Sequence, residues 1–134
     1  MRVSFNEYFL QLAELTSKRS TCQRLKVGAV IVKNNRILST GYNGSIKGHE
    51  HCIDVGCLKN DEGRCIRCIH AEANALLFAK TDLEGAVIYV THYPCENCSK
   101  LIAQSGIKKI VYKNEYENTY SREFLRDLEV IHFR

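Results

Sequence analysis

The sequence has no tryptophan, one methionine and a single proline among its 134 residues. It carries no apolar run long enough to span a bilayer, which excludes a membrane-spanning helix. The first twenty residues lack the basic, apolar and small-residue regions of a secretory leader, so the expectation is a cytoplasmic protein with no membrane partner. No internal repeat and no low-complexity linker interrupts the chain, and its length suits one compact domain over residues 1–134. Nor is hydrophobicity short. With 45% hydrophobic and 25% charged residues the composition is ordinary for a globular protein, which excludes disorder along its whole length.

What stands out is cysteine. The seven are Cys22, Cys52, Cys57, Cys65, Cys68, Cys95 and Cys98. An odd count without a leader argues against a disulfide scaffold, and clustered thiols in a reducing compartment bind metal or do chemistry. Four of the five histidines, His49, His51, His70 and His92, lie among them. The segment at about 44–69 is rich in Gly, Cys and His and poor in apolar periodicity. It reads as an insertion ordered by metal rather than by a hydrophobic core.

Regular patterning flanks the insertion. Ser4 with Glu7 three residues on forms a capping box, with Val3 and Tyr8 placed as a staple. Phe5, Tyr8, Phe9, Leu12 and Leu15 then predict a helix to about Arg19. Val27 to Val32 and Ile37 to Tyr42 are β-rich runs separated by Asn34 and Asn35, a hairpin signal. From His70 onward helix and strand alternate. A helix from Ala71 to Ala79 precedes a strand from Ala86 to Val90, a helix from Cys95 to Ser105 closed by Gly106, and a strand from Ile107 to Tyr112. A short helix with Phe124, Leu125 and Leu128 and a strand from Val130 to Phe133 complete the chain. Crossovers of this length imply parallel pairing, hence a mixed five-stranded α/β sheet of an N-terminal hairpin and two βαβ units, with helices on both faces.

The chemistry concentrates in His70-Ala71-Glu72 and Pro94-Cys95-Glu96-Asn97-Cys98. Cys95 and Cys98 share one face of a helix's first turn, where free N–H groups and the helix dipole favour thiolates. His70 opens the other helix and supplies a third ligand. Three protein ligands leave one tetrahedral position for water, the pattern of a catalytic Zn2+ that makes that water acidic near neutral pH. Glu72 points to another side of its helix and is free to carry a proton from water to a substrate nitrogen. A lone CxxC also fits a redox pair or half of a zinc ribbon, but neither gives His70 and Glu72 a role.

The two strings form the H-x-E and P-C-x-x-C signature of zinc nucleobase deaminases. With the element order, they make the chain resemble the cytidine and deoxycytidylate deaminase superfamily, which has a three-layer α/β/α fold. Gly41-Tyr42-Asn43-Gly44, His51-Cys52, Gly56-Cys57, Cys65-Ile66-Arg67-Cys68-Ile69, Tyr89-Val90-Thr91 and Gly106-Ile107-Lys108-Lys109 are similar to the deoxycytidylate (dCMP) deaminases, including competence-operon and bacteriophage members. The similarity runs roughly from Phe5 to Tyr112. It implies hydrolysis of dCMP to dUMP and ammonia, with His70, Cys95 and Cys98 as zinc ligands, Glu72 as proton shuttle, Asn43 holding the deoxyribose or base edge and the Ala71 main chain on the pyrimidine.

The resemblance also implies a second, structural Zn2+ on Cys22, His51, Cys57 and Cys65, with Cys52 as a substitute. Cys68 is expected as a small buried residue, and His49, His92 and His132 as surface or loop histidines. A homohexamer and regulation by dCTP and dTTP, with Mg2+ accompanying the nucleotide, are further implications. Of the formal net charge of +4, most arises in the first 36 residues, and Arg24 and Lys26 are the candidates for the substrate phosphate. The last 22 residues hold five acidic against four basic side chains, which disfavours stable nucleic-acid binding. Two alternatives stay open. One is the same chemistry on cytidine, deoxycytidine, a purine or a tRNA adenosine. The other is a non-enzymatic zinc module bound to DNA or protein, in which Glu72 would be dispensable.

Overall fold

The computed structural model describes residues 1–134. Helix α1, Phe5–Ser17, begins where Ser4 Oγ accepts from the Glu7 N–H at 3.1 Å, one half of the capping box, while Val3 and Tyr8 stay about half exposed. It ends two residues short of the expected boundary. Strands β1 (Gly28–Lys33) and β2 (Arg36–Tyr42) form the hairpin, and both residues of its turn, Asn34 and Asn35, have positive φ, as a two-residue turn of this hand requires.

After the insertion, which contains only the short helix α2 (Cys52–Val55), come α3 (Ala71–Ala79), β3 (Val87–His92), α4 (Glu96–Gln104), β4 (Lys109–Asn114), α5 (Ser121–Phe124) and β5 (Glu129–His132). The sheet order is β2-β1-β3-β4-β5. β1 is antiparallel to both neighbours, and β3, β4 and β5 are mutually parallel. The mixed sheet of hairpin and two βαβ units read from the sequence is therefore the one observed.

Strand alternation sorts the core into two layers. Val30, Val32, Tyr89 and Val111 pack under α1 with Phe9, Leu10 and Ala13. Ala29, Ile31, Ile88, Val90, Ile110 and Tyr112 pack on the opposite face with Ala71, Ala75 and Ile102 of α3 and α4. Helix α3 lies unusually close to β2. Ser39 Oγ donates to Ala75 O at 2.7 Å, and Asn74 Nδ2 donates to Tyr42 O at 2.9 Å. Gly41 faces the helix backbone between them, where an added Cβ would sit 2.3 Å from Ala71 O. This contact fixes the helix that begins at His70.

Candidate active site

Helices α3 and α4 start side by side, because α4 follows β3 directly and α3 is fastened to β2 two strands away. Their N-caps are His70 and Cys95, both in extended backbone conformation, and Cys98 is on the first turn of α4. His70 Nδ1 is 3.3 Å from Cys95 Sγ and 3.4 Å from Cys98 Sγ, and all three donor atoms lie within 4.8 Å of one another. Tetrahedral zinc with ordinary bond lengths places N and S ligands about 3.6 Å apart, so the donor set fits that ion without rearrangement.

The electrostatics agree with the geometry. The Cys95 thiol is lowered to about 4, first by the hydrogen bond from Cys98 and then, against the cost of burial, by His70 and the Cys98 N–H. Cys98, as the donor in that pair, is pushed up, and burial adds to the effect. A divalent cation between the sulfurs removes this conflict, since each thiolate then faces positive charge.

Glu72 is 4% exposed. Burial raises its carboxyl to about 7, against the lowering influence of its own N–H and of His70, and Cys95 adds a further push upward. A buried carboxyl with a pKa near 7 exchanges protons in both directions at neutral pH. Ala71, fully buried, occupies the first helical position, where the N–H has no partner within the helix.

Asn43 is also buried, and its amide is already engaged. Nδ2 donates to Leu25 O at 2.6 Å and Oδ1 accepts from the Val27 N–H at 2.9 Å. The side chain thus clamps the backbone on both sides of Lys26 and keeps one donor hydrogen and one lone pair for a ligand. Arg24 and Lys26 are both exposed on that clamped loop.

In the insertion, the structure brings Cys57 and Cys65 together with Cys52, all three sulfurs lying within 4.8 Å of one another. Cys52, a substitute in the sequence reading, is central here. It is fully buried, and its Sγ lies 3.6 Å from that of Cys65 and 3.5 Å from that of Cys68. Cys22 and His51 stand outside this compact group, although His51 Nδ1 is buried without a hydrogen-bond partner. Burial opposes ionisation of Cys65, yet backbone hydrogen bonds from Arg67 and Leu58 and the thiols of Cys52 and Cys57 bring it down to about 7. Cys57, donating to Cys65 first of all, rises to about 11.

Sequence reasoning missed the segment after β4. Asn118 Nδ2 and Ser121 Oγ both donate to Pro94 O, at 3.1 and 3.0 Å. No local pattern signals a contact across 24 residues to a main-chain carbonyl.

A family model described as the cytidine and deoxycytidylate deaminase zinc-binding region matches residues 3–114. ComE operon protein 2 of Bacillus subtilis is 47% identical over 133 residues, covering 96% of this chain and 70% of that protein. The deoxycytidylate deaminase of Mycobacterium phage D29 is 44% identical over 126 residues, covering 85% of this chain and 98% of that protein. The crystal structure of dCMP deaminase from the cyanophage S-TIM5 in complex with dCMP and dUMP matches with a TM-score of 0.85 at 38% identity, over 99% of both chains.

Proposed function

The chain belongs to the cytidine and deoxycytidylate deaminase family, and on that premise we propose that it hydrolyses dCMP to dUMP with release of ammonia. The observation that carries this reading is the full-length likeness to an enzyme solved with dCMP and dUMP. The buried Glu72 beside the three converging metal donors adds to it. When bound by His70, Cys95 and Cys98, zinc supplies the Lewis acid that makes water nucleophilic at neutral pH. Glu72 would take one proton from the attacking water and pass it to N3 of the cytosine, then take the second from the hydroxyl left on C4 and pass it to the departing amine, so that the C4–N bond breaks as the C4–O double bond forms. The free N–H of Ala71 holds the pyrimidine, the remaining valences of Asn43 hold the sugar, and Lys26 with Arg24 faces the phosphate.

A turnover comparison among dCMP, CMP and deoxycytidine tests this assignment. Fastest turnover of dCMP is expected, and Lys26→Ala should raise the KM for dCMP about tenfold, the loss of one charge-assisted hydrogen bond. The KM for deoxycytidine should stay where it was. Preference for deoxycytidine over dCMP would overturn the phosphate assignment. Self-association into a hexamer belongs to the same reading and is supported by the exposed Leu77, Phe78, Leu101 and Phe124. Control by dCTP with Mg2+ and by dTTP is its regulatory counterpart. Light scattering, and dCMP saturation curves with and without each nucleotide, test these on the same preparation.

A second zinc is held by the insertion. Cys52, Cys57 and Cys65 supply three thiolates, and the fourth position falls to one of the donors around them, Cys68 at 3.5 Å from Cys52, Cys22 or His51, whose Nδ1 is buried without a partner. The spacing of the sulfurs supports this, as does the buried His51 Nδ1 without a hydrogen-bond partner. Metal analysis is expected to give two zinc ions per chain, falling to one in Cys52→Ser. One zinc in the parent protein would overturn the second site and leave the first untouched.

A further inference from the structure

The loop after β4 is fastened to the residue that precedes a metal ligand, and we infer that Asn118 and Ser121 are positioning residues for Cys95. The inference rests on the reading of His70, Cys95 and Cys98 as a zinc site. Pro94 is almost wholly buried, and its carbonyl accepts from Asn118 Nδ2 at 3.1 Å, from Ser121 Oγ at 3.0 Å and, more distantly, from Ser99 Oγ at 3.5 Å. That carbonyl belongs to the peptide entering Cys95, so its direction sets the plane from which the Cys95 side chain departs. Proline offers no N–H of its own, and the carbonyl is the only backbone handle at this position.

The donors are themselves oriented. Asn118 Oδ1 accepts from the Ser121 N–H at 3.1 Å, which turns Nδ2 toward Pro94. Ser121 is fully buried. On the far side of Cys95, Glu96 Oε2 accepts from the Tyr120 N–H at 3.1 Å. Cys95 is therefore bracketed by two attachments to one segment, residues 118–121. Asn118 and Thr119 also line an open cleft of about 560 Å³ with Tyr93 and Arg122, whose guanidinium stands 5.2 Å over the Tyr93 ring. A loop that only connected β4 to α5 would have no need to place two side-chain donors on one carbonyl that accepts through two lone pairs. Outer partners that orient a ligand tune metal retention and activity by about 10–100-fold.

Asn118→Asp keeps the shape and the acceptor toward Ser121 but replaces the donor on Pro94 with a repelling oxygen, and Ser121→Ala removes the second donor. Each zinc-loaded variant is expected to lose its active-site metal to a chelator about tenfold faster than the parent. In the cobalt(II)-substituted proteins the thiolate-to-metal absorption should be displaced. For dCMP, kcat should fall about tenfold with KM within about twofold. Metal release and cobalt spectra matching the parent in both variants would overturn the inference, whatever happens to Tm. If Ser121→Ala does not fold, the partly exposed Asn118→Asp decides alone. A parent protein that binds no metal at His70, Cys95 and Cys98 would instead overturn the zinc reading on which the inference stands.

Discussion

Glu72→Gln and Glu72→Ala are expected to lower dCMP turnover by about 10³-fold or more while the zinc content stays that of the parent. The expectation follows from position. Glu72 lies two residues beyond His70 on α3 and is outside the group of three donors. Its removal takes away a proton carrier without removing a ligand. Glutamine keeps the shape and a donor but does not accept the proton released by water, so it should be nearly as damaging as alanine. The stability of Glu72→Gln should not suffer. Burial raises the carboxyl to about 7 because the folded protein disfavours its charged form, and a neutral side chain there removes that penalty. Steady-state assays with ammonia detection and metal analysis on one preparation check both halves. Full turnover by either variant would sink the proton-shuttle role, no turnover of any cytosine nucleotide by the parent would favour a non-catalytic zinc module, and loss of metal from the variants would make Glu72 a ligand.

The legible parts of the site were those written in local pattern. His70, Glu72, Cys95 and Cys98 stand at helix starts, spacing puts Cys95 and Cys98 on one face of a first turn and Glu72 away from His70, and the structure brings the three metal donors together. Strand boundaries were less legible. The strands expected at Ala86 to Val90 and Ile107 to Tyr112 are observed as Val87–His92 and Lys109–Asn114, displaced toward their C-terminal ends. Pairing decides this, since His92 lies in register with Asn114, and the extra residues carry the sheet up to Tyr93 and Pro94. The insertion was legible as thiol-rich but not in its arrangement, because nothing in a periodic pattern says which cysteine a short helix such as Cys52–Val55 will bury. Asn118 and Ser121 were invisible for a related reason. Their partner is a carbonyl, and a carbonyl has no residue type.

Gly41→Ala should be the most damaging single methyl group in the β2–α3 contact, costing about 3 kcal/mol or more of stability and loosening the active-site zinc. The cause is space rather than backbone freedom. A Cβ at residue 41 would meet Ala71 O at 2.3 Å, Ala75 N at 2.5 Å and Ala75 Cα at 3.0 Å, all main-chain atoms of α3 that no rotamer change can move aside. Ala71 and Ala75 are fully buried in the core under the sheet, so the helix cannot give way there without opening that packing. Backing away would stretch the Asn74–Tyr42 and Ser39–Ala75 hydrogen bonds and carry His70 and Glu72 with the helix. Gly28→Ala is the discriminating companion. Its Cβ would strike Ala13 O at 2.0 Å and Ser17 N at 2.7 Å on α1, across the sheet from the metal. Both variants are expected to unfold at lower urea, but only Gly41→Ala should also release zinc faster from the protein that remains folded. Equal zinc retention in the two would mean that α3 is held by its own packing and that the close approach of β2 does not set the position of His70.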